Sequence, residues 1–336
     1  MKRILVFELN WMGDILFSFP FLRALRKAFP TAHIACAVVE RYKELLDRNP
    51  LVDEVHVFSD KRGFLSLTEK LAFIRTLRKA GYDACFFFKP SRTKSIIAFL
   101  AGIPRRIGFT GKNAMLTERT ENVSPGCHRA DVFSALAARA GISVQDGTYE
   151  YFVGREDEKR VTALLKKVDK NMRRIVTVNP GGNWDAKRWP AERFTDLVKR
   201  ILSRFENISV VVTGTGKDAE LAERIVSQTD PRRCHALAGR TRLAELAAVF
   251  EKCALVISAD SGPLHLASAV GTATVGLFGP TSPKITGPRG KGINTVITGS
   301  SDCVVPCYIE KCEKNYACMR SITVDEVFAA VTKVLE

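Results

Sequence analysis

Four loops in this sequence collect the residue types that could handle a phosphorylated substrate. The first runs from Glu8 to Asp14 at the exit of an apolar run. Gly13 permits a tight turn or a close approach of backbone to ligand, and Asp14 could either cap the next helix or accept a proton from a bound group. The second runs from Asn179 to Pro190. Gly181 and Gly182 leave N–H groups open to an anion, Asn183 adds a polar side chain, and Lys187 and Arg188 add positive charge; the plainer alternative is a strand-to-helix loop with solvated cations.

The third loop, Ile257 to His265, places Ser261 and Gly262 ahead of Pro263, a residue suited to a first helical turn. Free N–H groups at such a helix start attract phosphate oxygens, with Asp260 facing the same space. His265, two residues into that helix, is by type alone a packed core histidine before it is a ligand. The fourth, Gly276 to Pro283, ends a strand in a Gly-Pro turn beside the hydroxyls of Thr281 and Ser282. A rival signal, Gly214-x-Gly216-x-x-Ala219, matches the dinucleotide fingerprint in form, but the region roughly twenty residues on offers Arg240 and no acid for a ribose.

These loops need a scaffold that repeats. Short apolar strands are expected at 3–9, 33–39, 54–58, 84–88 and 106–109, and helices at 21–28, 41–49, 65–80, 94–100 and 129–140. Pro20 costs a backbone bond inside a helix, so the regular helix should start near it. A charged stretch from Arg155 to Arg174 reads as an interdomain helix and linker. The pattern then restarts, with strands at 174–178, 208–213, 235–237, 254–258 and 274–278. Helices at 191–205, 218–228, 243–251 and 263–270 intervene, and a closing helix spans 324–335. Strands alternating with helices imply two α/β domains with parallel, doubly wound sheets, whose ligands bind at the carboxyl ends of the strands. The expected site is the cleft between the two halves.

The 336 residues suffice for two cores, and 46% hydrophobic with 26% charged residues is a folded composition. Glu8 and Asn10 interrupt the amino-terminal apolar run before a secretion signal is complete, and no stretch reaches the roughly 18 apolar residues of a spanning helix. The expected location is cytoplasmic, with any membrane contact peripheral. A net charge of +15 favours anionic partners. Nucleic acid is the least favoured of them, because no helix-turn-helix, zinc-finger or aromatic RNA-binding motif accompanies the charge. The odd total of nine cysteines argues for reduced thiols. Cys303, Cys307, Cys312 and Cys318 resemble a thiolate zinc site but lack its paired spacing, and no metal is assigned to them.

Taken in order, Gly13-Asp14, Gly181-Gly182 followed by Lys187-Arg188-Trp189-Pro190, Asp260 to His265, and Leu277 to Thr281 resemble glycosyltransferase family nine, the ADP-heptose:lipopolysaccharide heptosyltransferases. The likeness spans nearly the whole chain. It implies a GT-B fold of two Rossmann-like domains facing a central cleft. Residues 1–160 would form an acceptor-binding domain, 161–323 a nucleotide-sugar domain and 324–336 the closing helix.

The resemblance further implies transfer of heptose from ADP-L-glycero-D-manno-heptose to the Kdo-lipid A inner core, with inversion. In it Asp14 falls at the catalytic base, Lys187 at the lysine on the donor phosphates and Asp260 at the aspartate on the sugar. Gly181, Gly182, Asn183, Ser261, Gly262 and His265 complete the donor site. Where many relatives place a ribose-binding Glu, this chain has Lys217 beside Asp218. Either Asp218 makes that contact or the nucleotide is held differently.

No Asp-x-Asp sequence is present to hold a divalent ion, so transfer should need neither metal nor cofactor, with fixed cations and N–H groups stabilising departing ADP. The anionic lipid-borne acceptor and the inner-membrane surface would be the partners of the basic charge. Arg62, Lys89, Arg92, Lys94, Arg105, Arg106, Lys112 and Arg119 are the candidate acceptor-side cations. The competing readings are another nucleotide-sugar or a protein acceptor on the same fold, or a nucleotide- or polyanion-binding module without catalysis.

Overall fold

The computed structural model describes residues 1–59, 65–89, 91–111, 115–121, 123, 126–169, 173–182, 184–309 and 312–336. Arg62, Lys112 and Asn183 therefore lie outside the described residues. The chain divides into two compact units, Met1–Tyr149 and Glu150–Glu336.

In the first unit the strands are β1 (Arg3–Phe7), β2 (His33–Val38), β3 (Glu54–Val57), β4 (Ala84–Phe87), β5 (Arg105–Phe109) and β6 (Glu118–Thr120). They form one parallel sheet in the order β3-β2-β1-β4-β5-β6. The helices are α1 (Met12–Phe17), α2 (Phe19–Ala28), α3 (Leu65–Ala80), α4 (Arg92–Leu100) and α5 (Arg129–Arg139). Leu5, Phe7 and Phe87 of the sheet share one core with Leu77 of α3 and Ile97 of α4. Parallel strands need apolar residues on both faces, and β4 is buried throughout.

Pro20 sits in the first turn of α2, and lacks the N–H that would have bonded the Leu16 carbonyl. The helix is therefore split at Ser18, and the short α1 ahead of it carries Asp14. The segment 41–49, expected as a helix, contains only a 3-10 helix over Glu40–Leu45.

The second unit repeats the topology. Its strands are β7 (Arg174–Asn179), β8 (Ile208–Val212), β9 (Cys234–Ala236), β10 (Cys253–Ala259), β11 (Thr274–Phe278) and β12 (Asn294–Thr298). Their order, β12-β11-β10-β7-β8-β9, is the order of the first sheet with each strand advanced by six. The helices are α6 (Arg155–Val168), α7 (Ala191–Arg204), α8 (Ala219–Ser227), α9 (Leu243–Glu251), α10 (Gly262–Ala269), α11 (Pro283–Thr286), α12 (Ala317–Ser321) and α13 (Val324–Leu335).

The contact boundary at Tyr149 puts α6, expected as an interdomain helix with a linker, wholly within the second unit. Val161 and Leu165 of this helix are buried, and its fully buried Asp157 pairs with Arg160 and with Arg242 ahead of α9. The closing α13 likewise belongs to this core, where Val327, Val331 and Leu335 pack with Trp189 and Ile201.

Candidate active site

In a sheet of this order the chain leaves the central pair of strands in opposite directions, opening a crevice at their carboxyl ends. That pair is β1 and β4 in the first unit, and β7 and β10 in the second. Every sequence-assigned site residue follows one of three of these strands, β1, β7 or β10.

The exit of β1 is organised by a residue that the motif reading passed over. Glu8 is fully buried, its Oε1 accepts a hydrogen bond from Ser18 Oγ (3.0 Å), and its Oε2 is buried without a partner. Its main-chain carbonyl accepts from Lys94 Nζ of α4. Burial pushes this carboxyl up to about 8, against the smaller opposing effects of the Ser18 bond and the Lys94 charge. Glu8 thus fastens the strand to the break between α1 and α2. Because folding favours its protonated form, this contribution is complete below the unfolded value of 4.5 and is lost as pH rises to about 8. Glu8→Gln, which cannot ionise, should melt as wild type does at pH 5 and several degrees higher at pH 8. Equal melting temperatures at pH 8 would remove the buried acid from the stability balance.

Asp14 lies in the first turn of α1 with its side chain 14% exposed. Arg129, at the start of α5, approaches its Oδ1 with both Nε and Nη2 at 3.3 Å. Asp14 therefore does not cap its own helix by side chain; its carboxylate is oriented from α5. Among the acceptor-side cations, Arg105 is held by Glu118 (2.7 Å) and Arg106 by the carbonyls of Met115 and Ile103, so both serve the edge of the sheet. Lys89 and Arg92 are exposed.

The second unit brings together residues from three loops. Asp260, 4% exposed, accepts from Lys187 Nζ (2.7 Å) and Thr286 Oγ1 (3.3 Å) on Oδ2, and its Oδ1 lies 3.3 Å from His265 Nε2. Burial alone would raise this carboxyl, but the His265 bond and the Lys187 charge outweigh it and hold Asp260 well below the usual carboxylate range. His265 is both things the sequence allowed, a buried histidine and a partner of Asp260. Lys187 also lies 5.6 Å from the centre of the Trp184 ring, which stacks on Tyr308.

Ser261 precedes α10 but does not cap it; its hydroxyl pairs with Ser258 Oγ (2.9 Å) instead. That pair continues through Asn179 to Thr213, a polar chain across the ends of β10, β7 and β8. No side chain caps the start of α10, where Pro263 has no N–H and the His265 N–H donates to the Ser261 carbonyl (3.4 Å), so the Gly262 N–H is the group that suits an anion. Arg188 differs from expectation: its guanidinium donates to the Gly182 carbonyl (3.0 and 2.6 Å) and so shapes the loop. Gly181 is required by crowding, since a Cβ there would lie 2.6 Å from the Asp218 carboxyl. Asp218 in turn spends Oδ2 on the N–H and hydroxyl of Thr215. In the fourth loop, Thr281 Oγ1 is buried without a partner.

The four clustered cysteines line one cavity beside Ala186 and Pro280. All are free thiols, and among the described residues no three His, Cys, Asp or Glu side chains are arranged to hold a metal ion.

Comparison with known proteins places this geometry. Residues 70–316 match the family model of glycosyltransferase family 9 (heptosyltransferase). The chain is 29% identical over 299 residues, 85% of each chain, to lipopolysaccharide heptosyltransferase 2 of Escherichia coli K12. It is 28% identical, with the same coverage, to the Salmonella typhimurium protein of that name. Among solved structures, the ADP-heptose LPS heptosyltransferase II of E. coli superposes with a TM-score of 0.83 at 25% identity, covering 100% of this chain and 98% of that one. A family 9 glycosyltransferase from Veillonella parvula gives 0.85 at 26% identity, covering 99% and 97%. With the family model spanning well over half of its length, this GT-B chain belongs to glycosyltransferase family 9, the heptosyltransferases.

Proposed function

We propose that the chain transfers heptose, with inversion, from ADP-L-glycero-D-manno-heptose to the Kdo-lipid A inner core of lipopolysaccharide, working at the cytoplasmic face of the inner membrane. The observation that carries this reading is the Lys187–Asp260–His265 cluster beside the uncapped start of α10. A diphosphate needs fixed positive charge and N–H donors, and a sugar needs a desolvated carboxylate to grip its hydroxyls. This cluster offers both within one ion pair.

The donor diphosphate would draw Lys187 from Asp260 and accept from the Gly262 N–H at the start of α10. Asp260 Oδ2 would then be open to a sugar hydroxyl, with His265 still on Oδ1. Gly181 and Gly182 would let the phosphates approach the backbone. Asp14, held by Arg129, would take the acceptor proton as the acceptor oxygen attacks the anomeric carbon. The bond to ADP breaks on the opposite side, so one displacement inverts the centre. The chain has no Asp-x-Asp sequence, which favours charge stabilisation by Lys187 and α10 over a bridging divalent ion. Asp218, committed to Thr215, is better suited to shaping the nucleotide loop than to reaching a ribose.

The test is mass spectrometry of products from purified protein, the ADP-heptose and Kdo-lipid A. A single added heptose with inverted linkage is expected. Binding of the donor without transfer to this acceptor would move the assignment to another acceptor, and no donor binding at all would end it.

A further inference from the structure

We propose that the neutral Glu8 side chain is a positioning residue for transfer: it clips the carboxyl end of α1 and so holds Asp14 against Arg129. The short helix is tied at two places. Near its start, Asp14 meets Arg129 of α5. Just past its end, Ser18 meets Glu8 inside the core. Phe17, the last residue of α1, stands edge-on to His128, 5.2 Å between ring centres, and His128 precedes Arg129 and accepts the Ala130 N–H on Nδ1. A movement at the Ser18 end therefore reaches the Asp14–Arg129 contact through only six residues of helix.

The hydrogen bonds at Ser18 decide which form of Glu8 makes the clip. A hydroxyl has one hydrogen to give. Ser18 Oγ lies 2.7 Å from the Ile15 carbonyl, which can only accept, and 3.0 Å from Glu8 Oε1. Both contacts are satisfied together when Glu8 brings its own proton and donates it to Ser18 Oγ, which leaves the Ser18 hydrogen for Ile15. An ionised Glu8 would take that hydrogen from Ile15 and would still have Oε2 buried without a donor. The titratable groups around the carboxyl are Cys36 of β2, whose Sγ is 3.9 Å from Oε1, Asp14 of α1, and Lys94 of α4, whose ammonium donates to the Glu8 main-chain carbonyl. A charge on Glu8 would be desolvated and would repel the Asp14 carboxylate, in keeping with a carboxyl pushed up to about 8. Relief comes from water entering or from Ser18 and Lys94 turning to the charge, and either shifts the end of α1. The role rests on Asp14 acting as the base of the reaction proposed above.

The test reads the clip separately from the reaction. In protein carrying nitrogen-15 arginine, the Arg129 Nε signal, assigned by its loss in Arg129→Lys, should shift between pH 7 and pH 9 with a midpoint near 8. In Glu8→Gln, whose amide can donate to Ser18 at every pH, it should stay in place. Neither measurement needs a substrate. For heptosyl transfer at saturating substrates, the rate of Glu8→Gln divided by that of wild type should rise about fivefold or more from pH 7 to pH 9, because a carboxyl titrating near 8 is about nine-tenths ionised at pH 9. The ratio cancels the titration of Lys187 and of the acceptor. Glu8→Leu fills the space without a donor and should transfer more slowly than Glu8→Gln at both pH values. An Arg129 signal that does not titrate, or that titrates equally in Glu8→Gln, overturns the proposal. So does a flat rate ratio, or a Leu variant as fast as the Gln variant. Absence of transfer by the wild-type chain at any pH ends the proposed reaction instead, and the arginine signal still decides whether Glu8 holds Asp14.

Discussion

Asp14→Asn is expected to lower heptosyl transfer by about 10²- to 10⁴-fold, the usual contribution of a general base, while leaving donor affinity within about twofold of wild type. The amide is nearly isosteric and can still accept from Arg129 through its oxygen, so the short α1 should keep its place. What it cannot do is take a proton. The donor groups are on the other unit, which is why affinity and rate should separate so cleanly. Single-turnover rates at saturating donor, beside calorimetric donor binding, read the two quantities independently. A variant that transfers at the wild-type rate would remove Asp14 from the chemistry. Arg129→Gln should be milder, because it loosens the carboxylate without deleting it.

The second large effect is expected at Lys187. Lys187→Met keeps the aliphatic stem against Trp184 but deletes the charge, and donor affinity should fall about a hundredfold, the loss of roughly 3 kcal/mol expected for a charge-assisted phosphate contact. The same change should destabilise the protein. Asp260 is buried and would keep only His265 and Thr286 as donors. Removing one partner of a buried pair costs about 3–5 kcal/mol; Lys187 is a quarter exposed, so about 1–2 kcal/mol, a few degrees of melting temperature, is the better expectation here.

Asp260→Asn in the Lys187→Met background should restore most of the melting temperature, since no unpaired buried charge remains, but none of the donor affinity. Recovery of both would show that Lys187 acts on Asp260 alone and never meets the phosphates.

Much of the scaffold was legible because its signals are local. The strands of both sheets were expected within a residue or two, since buried parallel strands read as short apolar runs whatever surrounds them. The exceptions follow the same logic. β6 is Glu-Arg-Thr and carries no apolar run, and β12, half buried at the other sheet's edge, offers only the pair Val296-Ile297 between polar residues. The short α1 was missed because Pro20 ends it one turn too early for helical periodicity to show. α6 reads as a charged interdomain helix with a linker; that it belongs to the second core rests on burial of Asp157 against Arg242, 85 positions on, which its composition does not show.

The sequence by itself determined the repeated α/β order, the glycine and proline punctuation of the loops, and which loops carry Asp14, Lys187, Asp260 and His265. Those properties depend on residues a few positions apart. Only the tertiary structure decided how the side chains are used. It brought Lys187 to Asp260 across 73 positions and Arg129 to Asp14 across 115. It also buried Glu8 until its carboxyl holds a proton near neutral pH. The physical reason is common to all of these. A charged group takes its role from the desolvation and the partners that the completed fold imposes, and those partners arrive from loops and helices that are neighbours in space but remote along the chain.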